Sequence, residues 1–166
     1  PSRHLGLVQA TEQRAQTEAL VKAAREAVEH GVDLDALLAQ TGILSAAPSP
    51  RRLPPLGQRI AVAKDIAFEF AYPHILDDWR ASGAELSVFS PLANEAPRAD
   101  CDAVYLPGGY PELHAETLST ADRFIDGVRS AAARGALIYG ECGGYMVLGE
   151  GLVDADGTRH PMIGLL

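Results

Sequence analysis

The chain contains 166 residues, of which 47% are hydrophobic and 22% are charged, a composition typical of a folded domain rather than of a disordered segment. Acidic residues outnumber basic residues by 22 to 14, and the net charge of -8 disfavours binding to nucleic acid or to an anionic membrane surface. Two cysteines cannot form a multi-disulfide scaffold and no apolar run reaches the roughly 20 residues that span a bilayer, so we expect a cytoplasmic enzyme or binding domain.

The first 44 residues are predicted to form two helices. Apolar residues recur at three- and four-residue spacing over residues 15–28, which is the pattern of an amphipathic helix. Gly31 is the expected left-handed C-cap of this helix. A shorter helix follows, with Asp33 as its expected N-cap and Gly42 as its expected end. The apolar faces of both helices need a packing partner that this segment does not supply.

A proline-rich stretch divides the chain. Residues 45–57 contain four prolines and two arginines, a composition that blocks helices and sheet ladders and favours an extended linker. We therefore expect three parts, at residues 1–44, 45–57 and 58–166.

The chain begins at Pro1 and ends in an apolar run at 162–166, which would expose apolar surface if left as an unpaired strand. These ends suggest a piece of a longer protein.

Beyond the linker, predicted strands and helices alternate. Strands are expected at residues 59–63, 84–89, 103–106 and 136–139, and helices at 72–82 and 120–134. A hairpin is predicted around a turn at 154–157. Alternating strands and helices with short loops are typical of an open parallel sheet covered by helices on both faces, which is an α/β fold.

One predicted turn has the form of a nucleophile elbow. Cys142 follows an apolar strand and precedes a helix, with Gly140 and Gly144 two residues to either side because a Cβ there would collide with neighbouring backbone. The start of the helix favours a thiolate, and the N–H of Gly143 faces the position of an oxyanion. Cys142 is the predicted nucleophile, the alternative being a buried structural cysteine. Cys101, between two aspartates, is expected to be unreactive.

A glycine loop follows the strand predicted at 103–106 and leaves the sheet at the same edge. Gly108 and Gly109 allow backbone amides to turn toward a ligand. Tyr110 belongs to this loop, and Glu112 is either a ligand contact or an acidic residue in the first turn of a helix.

The other polar residues give weaker signals. Asp65 is expected to cap the turn after the first strand, and no spacing among His, Cys, Asp and Glu resembles a metal site. A thiolate nucleophile normally needs a histidine base, yet none of the five histidines is a convincing candidate. His114 is expected on a helix surface. No pairing pattern involves His4, His30, His74 and His160.

Two segments carry a family resemblance. YLPGGYPELH at 105–114 and YGECGGYMVLG at 139–149 resemble the class I glutamine amidotransferase domain of the cobyrinic acid a,c-diamide synthase family. Further matches are AVAKDIAF at 61–68, FSPL at 89–92 and RHLGL at 3–7, the last similar to the end of that family's dethiobiotin-synthetase-like ATP domain. The resemblance implies a flavodoxin-like open sheet, truncated here and preceded by a helical remnant of the ATP domain.

The resemblance also implies a reaction. The family amidates the a and c side-chain carboxylates of a corrin ring with glutamine, ATP and magnesium. The Cys142 thiolate would attack the glutamine carboxamide, with the amides of Gly109 and Gly143 on the oxyanion. The implied oxyanion and glutamine-binding residues are Gly108, Gly109, Tyr110, Glu112 and Gly143. In this class the histidine follows the cysteine at a distance, so we expect it beyond Leu166, and the phosphate-binding loop before Pro1.

The implied partners are glutamine, cobyrinate or hydrogenobyrinate, and the missing synthetase and C-terminal parts of the same polypeptide. ATP and Mg²⁺ would bind mostly outside this chain, so the chain alone is expected to be inactive. A homodimer through the open sheet edge is a further expectation. Three alternatives remain: another cobalamin or tetrapyrrole amidotransferase such as cobyric acid synthase, a flavodoxin-like cysteine hydrolase or chaperone, and a non-enzymatic binding module.

Overall fold

The structure, a computed structural model, describes residues 12–42 and 53–166. The chain forms two compact units that divide after Arg51. Residues 45–52 of the expected linker lie outside the described residues. Within the two described ranges, no helix combines the length and the apolar character needed to cross a membrane.

The first unit contains two helices. These are α1 (Arg14–Gly31) and α2 (Leu34–Ala39). Asp33 caps α2 as predicted, since its carboxylate accepts a hydrogen bond of 2.9 Å from the N–H of Ala36. Gly31 is still helical and the chain leaves α1 through an extended Val32, so the predicted left-handed cap at Gly31 is wrong. The predicted end of α2 at Gly42 is also wrong, because Gln40 already ends it.

The second unit is an α/β fold. Its strands are β1 (Arg59–Ala63), β2 (Glu85–Phe89), β3 (Ala103–Leu106), β4 (Leu137–Gly140), β5 (Gly151–Val153) and β6 (Arg159–Pro161). Its helices are α3 (Pro73–Ala81), α4 (Ala115–Ser119), α5 (Asp122–Ala133) and α6 (Gly143–Met146), with a 3₁₀ turn at Pro111–His114 before α4. A parallel sheet has the order β2–β1–β3–β4, and β5 and β6 form an antiparallel hairpin. The predicted parallel α/β sheet is confirmed.

Local sequence explains where the helices of this unit begin and end. Pro73 opens α3, a position where the missing N–H has no helical partner in any case. The chain turns after α3 at Gly83, with φ of +93°, and after α5 at Gly135, with φ of +87°. Glycine adopts these left-handed conformations without strain, so both helices end close to their predicted positions.

Helices pack on both faces of the sheet, as predicted. On one face α5 contributes Phe124 and Val128, both almost fully buried against β1 and β3. On the other face α3 contributes Trp79, whose ring lies edge-on to that of Tyr105 with 5.8 Å between centroids. Because successive strand residues point to opposite faces, β1 and β3 are apolar on both sides. The sheet therefore forms a rigid support for the loops at its carboxyl edge.

The segment at 162–166 is not an unpaired strand. Ile163 is buried, and its N–H donates to the carbonyl oxygen of Val147 at 3.1 Å. The N–H of Leu165 donates to the carbonyl oxygen of Leu148 at 2.8 Å. The segment is paired because the β5–β6 hairpin returns the chain to the residues that follow α6.

Ion pairs join the amino-terminal ends of the strands. The backbone N–H and Nη2 of Arg59 donate to the Asp102 carboxylate at 2.9 and 2.7 Å. Asp100 accepts hydrogen bonds from Nη2 of Arg98 at 2.9 Å and from Nη1 of Arg59 at 3.2 Å. The guanidinium of Arg59 lowers the pKa of Asp102, and that of Arg98 lowers the pKa of Asp100. These carboxylates therefore favour the folded state in their ionised form.

This network predicts a pH dependence of stability. Because the pKa of Asp102 lies below its ordinary value of 3.8 in the folded state, its stabilising effect is present above that value and is lost as the pH falls through the folded pKa. We expect Asp102→Asn to lower the urea midpoint at neutral pH and to flatten its decline below about pH 4. The control is Asp126→Asn, at an exposed carboxylate 3.9 Å from Arg129. Parallel curves of midpoint against pH for the wild type and Asp102→Asn would contradict this prediction.

Candidate active site

The loops that follow β3 and β4 leave the sheet side by side. The two strands are parallel, and Leu106 is paired with Gly140 at their carboxyl ends. The N–H of Glu141 extends this pairing by donating to the carbonyl oxygen of Leu106 at 3.2 Å. Ligands of open parallel sheets bind beyond this edge. The loop at 107–112 and the turn at 140–144 therefore form the candidate active site.

Cys142 occupies a strained turn between β4 and α6. Its φ is +49° and its ψ is -118°, and in the described part of the chain only Asn94 shares a positive φ among non-glycine residues. Such a conformation costs about 1–3 kcal/mol and persists only where the surrounding structure holds it. The side chain of Cys142 is exposed, and α6 begins at the next residue, Gly143. The turn has the geometry that the sequence predicts for a nucleophile elbow.

Two glycines allow this turn to pack closely. A Cβ on Gly144 would overlap the carbonyl oxygen of Leu106, and a Cβ on Gly140 would lie 2.7 Å from the carbonyl oxygen of Gly144. Both contacts are with backbone atoms, which cannot rotate away as the end of a flexible side chain can. The packing therefore requires glycine at both positions, for the reason the sequence predicts.

The glycine loop after β3 lies against the turn. A Cβ on Gly108 would lie 3.4 Å from the Cβ of Cys142, and a Cβ on Gly143 would lie 2.8 Å from the carbonyl oxygen of Gly109. Gly109 itself packs on the carbonyl group of Ala67, which a Cβ would overlap. The structure thus brings three predicted site glycines together around Cys142. Their roles in holding an oxyanion stay predictions.

Tyr110 and Glu112, the other predicted site residues, have different surroundings. Tyr110 is buried, and its ring lies edge-on to that of Phe70 with 5.3 Å between centroids. Glu112 is partly buried in the 3₁₀ turn and lines a cavity of about 330 Å³, whose lining does not include Cys142. Tyr110 therefore takes part in an aromatic contact, whereas Glu112 lines a polar cavity. A contact of either residue with glutamine stays a prediction.

A hydrogen-bonded pair that the sequence did not indicate lines the same cavity. Nε2 of His160 lies 2.8 Å from Oδ2 of Asp154, and both side chains are mostly buried. Oδ1 of Asp154 accepts hydrogen bonds from the N–H groups of Asp156 and Thr158, and the contact with His160 lowers the pKa of Asp154. The structure therefore gives His160 a partner for which the sequence shows no pairing pattern. This pair could have been predicted from an aspartate at the start of the hairpin turn and a histidine on the strand that follows the turn.

The other described histidines lie in α1, in α3 and in the 3₁₀ turn. Nδ1 of His30 is 2.6 Å from the carbonyl oxygen of Glu26, and His114 lies in the 3₁₀ turn beside the polar cavity. His4 lies outside the described residues. Within residues 12–42 and 53–166, no histidine has Cys142 as a hydrogen-bond partner.

Glu141 is a site residue that sequence reasoning missed. Its Oε1 accepts a hydrogen bond of 2.7 Å from the hydroxyl of Tyr105, and its Oε2 lies 3.5 Å from the hydroxyl of Tyr139. Burial and the Glu141 carboxylate raise the pKa of both tyrosines, so both hydroxyls stay protonated at neutral pH. The two tyrosines are paired in register on β3 and β4, two residues before Glu141 along β4. The cluster could have been predicted from the pairing of Tyr105 with Tyr139 across these two strands.

Asp65 has the capping role that the sequence predicts. Its Oδ1 accepts a hydrogen bond from the N–H of Ala67, and its Oδ2 accepts bonds from the hydroxyl of Ser90 and the N–H of Leu92, all at 2.9 Å. Asp65 therefore ties the end of β1 to the loop after β2.

The second cysteine contrasts with Cys142. Cys101 is buried, and this burial, together with the charges of Asp100 and Asp102, raises the pKa of its thiol. An unreactive thiol is expected in these surroundings. No group of three or more His, Cys, Asp or Glu side chains that could hold a metal ion occurs in the described ranges.

Comparison with known proteins gives a consistent result. A family model described as a CobB/CobQ-like glutamine amidotransferase domain matches residues 59–166. A hydrogenobyrinate a,c-diamide synthase of Sinorhizobium sp is 63% identical over 169 residues, an alignment that covers the whole chain and 39% of that protein. Proteins of the same name from Brucella abortus biovar 1 and Rhodobacter capsulatus are 57% and 53% identical over the whole chain, which covers 38% of each. The chain thus spans 38–39% of the length of these relatives, and it belongs to the CobB/CobQ-like glutamine amidotransferase domain family.

Proposed function

We propose that this chain carries the nucleophile of the glutaminase site in an enzyme that amidates the a and c carboxylates of hydrogenobyrinate or cobyrinate. One observation carries the proposal: an exposed cysteine, Cys142, stands in a strained turn between Gly140 and Gly144, beside the loop of Gly108. The relatives' name, hydrogenobyrinate a,c-diamide synthase, supports the corrin substrate.

The chemistry at this site is acyl transfer. The Cys142 sulfur, as thiolate, forms a bond to the carboxamide carbon of glutamine, and the amides of Gly109 and Gly143 stabilise the oxyanion that results. The carbon–nitrogen bond then breaks, and the nitrogen leaves as ammonia after taking a proton from a histidine. Water hydrolyses the remaining thioester to glutamate and the free thiol. Ammonia then adds to the acyl carbon of the corrin carboxylate that ATP would phosphorylate, the carbon–oxygen bond to the phosphate breaks, and inorganic phosphate leaves to give the amide.

ATP and Mg²⁺ supply the activation of that carboxylate in this proposal. The described ranges contain no group of three or more His, Cys, Asp or Glu side chains that could hold a metal ion, and the sequence contains no G-x-x-x-x-G-K-[ST] motif for the phosphates. We therefore assign the nucleotide site, like the histidine, to other parts of the full-length protein. Residues 1–44 would end the ATP domain and residues 45–57 would form the linker, in agreement with the division of the chain after Arg51. The cytoplasmic location stays a prediction from the two unpaired cysteines.

Labelling with a glutamine analogue tests the proposal. We expect 6-diazo-5-oxo-norleucine, which alkylates glutaminase nucleophiles, to modify the full-length protein once, at Cys142, and to leave the buried Cys101 unmodified. Peptide mass spectrometry locates the label, and excess glutamine should slow its appearance.

Iodoacetamide is the control reagent, because it alkylates any accessible thiol without needing a glutamine site. Modification of Cys142 by iodoacetamide but not by the glutamine analogue would contradict the proposal and favour a cysteine hydrolase or a binding module. Conversion of hydrogenobyrinate to its diamide by the labelled protein with ammonia, but not with glutamine, would identify the label with the glutaminase site.

A further inference from the structure

The residue before the nucleophile is fixed at three points. The N–H of Glu141 donates to the carbonyl oxygen of Leu106 at 3.2 Å, and its carbonyl oxygen accepts from the N–H of Gly144 at 2.8 Å. Its carboxylate accepts from the hydroxyl of Tyr105 at 2.7 Å. Leu106 and Tyr105 both belong to β3, so a single strand holds the backbone and the side chain of this residue.

The strained conformation of Cys142 makes such anchoring necessary. A non-glycine residue with positive φ keeps that conformation only when its neighbours on both sides are restrained. On the carboxyl side, the N–H of Met146 donates to the carbonyl oxygen of Cys142 at 3.1 Å, within α6. On the amino side, the hydrogen bond between the Tyr105 hydroxyl and the Glu141 carboxylate is the side-chain contact that restrains the residue before Cys142.

The same strand also carries the glycine loop. β3 continues from Tyr105 through Leu106 into the loop of Gly108, whose Cβ position lies 3.4 Å from the Cβ of Cys142. The hydrogen bond from Tyr105 to Glu141 ties the turn to β3, and the Gly108 loop continues from the same strand. This bond therefore restrains the distance between Cys142 and the loop.

We propose that Glu141 is a positioning residue whose carboxylate, held by the hydroxyl of Tyr105, keeps the Cys142 sulfur aligned with the Gly108–Gly109 loop during attack on glutamine. This inference rests on the proposed glutaminase function. In this role Glu141 acts through the backbone of the residue that follows it.

The test compares steady-state glutamine hydrolysis by the full-length protein, four variants of the Glu141–Tyr105 pair and one control variant. Tyr105→Phe and Glu141→Ala each remove one end of the bond, and the double variant removes both. Glu141→Gln retains an oxygen that can accept the hydrogen bond from Tyr105. Asp126→Asn is the control, since Asp126 is an exposed carboxylate on α5, 3.9 Å from Arg129 and outside the cluster of hydrogen bonds around Glu141.

We expect Tyr105→Phe and Glu141→Ala each to lower kcat about tenfold and to leave KM for glutamine within about threefold, because alignment matters most in the transition state. The double variant should be no slower than the slower single variant, since both changes break one interaction. Glu141→Gln should recover kcat to within about threefold of wild type. Asp126→Asn should match the wild type, and ammonia-dependent amide formation should be unchanged in every variant.

Three results would overturn the positioning role: wild-type kcat in Tyr105→Phe, multiplied losses in the double variant, or equal losses in Glu141→Gln and Glu141→Ala. Each of these leaves the glutaminase itself intact. If Cys142→Ser retained glutamine hydrolysis, the proposed function would fail first and the positioning role with it. The two failures are therefore distinguishable in one set of assays.

Discussion

Replacing Cys142 by serine is expected to lower glutamine-dependent amide formation by the full-length protein at least 10³-fold, on the order of the loss seen when other nucleophiles are removed. A serine hydroxyl in the same strained turn is a much weaker nucleophile than a thiolate, and nothing else in the proposed reaction attacks the carboxamide. Amide formation from added ammonia should stay within about twofold of wild type, because ammonia bypasses the glutaminase step. The measurement is the rate of diamide production from hydrogenobyrinate and ATP with each nitrogen source.

The control for this variant is Cys101→Ala, which removes the buried thiol and should leave both rates close to those of the wild type. Equal losses with glutamine and with ammonia in Cys142→Ser would show a structural cysteine instead of a nucleophile. Unchanged rates would exclude the glutaminase and favour a binding module. If amides formed on another corrinoid but not on hydrogenobyrinate, the cysteine chemistry would stand, and an enzyme resembling cobyric acid synthase would become the better assignment.

Gly144→Ala is expected to destabilise the second unit by at least about 3 kcal/mol. The new Cβ would overlap the carbonyl oxygen of Leu106 and lie 2.7 Å from that of Pro107. Leu106 belongs to a central strand that is hydrogen-bonded on both sides, so its backbone cannot move away without breaking the sheet. Urea unfolding followed by the fluorescence of Trp79, which packs on the same sheet, measures the change.

Gly149→Ala is the matched control, because Gly149 lies in the same unit and a Cβ there would meet only the carbonyl oxygen of Met146, at an ordinary contact distance of 3.4 Å. This control should change the free energy of unfolding by no more than about 0.5 kcal/mol. If Gly144→Ala does not fold, Gly140→Ala provides the second measurement, because its Cβ would lie 2.7 Å from backbone and 2.8 Å from the flexible end of Leu148. Unfolding free energies of Gly144→Ala and Gly140→Ala within about 0.5 kcal/mol of wild type would contradict the packing argument.

The fold of the second unit could be predicted from sequence where local signals were strong. The strands at Arg59–Ala63 and Ala103–Leu106 have the predicted bounds, because short β-branched and apolar runs are set off by polar turns. Glycines with positive φ end α3 and α5 close to their predicted positions. In the first unit, Gly31 gave a misleading signal because glycine is common at helix ends and also tolerated in the last turn.

The candidate site could be predicted in part, for a similar physical reason. The turn around Cys142 follows from the order of strand, glycine, cysteine and glycine, all within five residues. The contact of Glu141 with Tyr105 joins residues 36 positions apart, and only the register of β3 against β4 brings them together. The pairing of His160 with Asp154 likewise depends on the alignment of a hairpin. Both contacts depend on which residues face each other across paired strands, and the residue types alone do not show that alignment.

The close packing of Gly140 and Gly144 limits how this site can change during evolution. Every substitution of a glycine introduces a Cβ, and at these two positions that atom meets backbone instead of a side chain that could adjust. Substitution is therefore disfavoured at both positions, and at Tyr105 the hydroxyl as well as the ring is needed for the hydrogen bond to Glu141. The position of Cys142 in the fold therefore depends on two residues that have no side-chain atoms. Divergence toward new acyl donors or corrin substrates must then begin in the loops around the turn, while the turn itself stays constant.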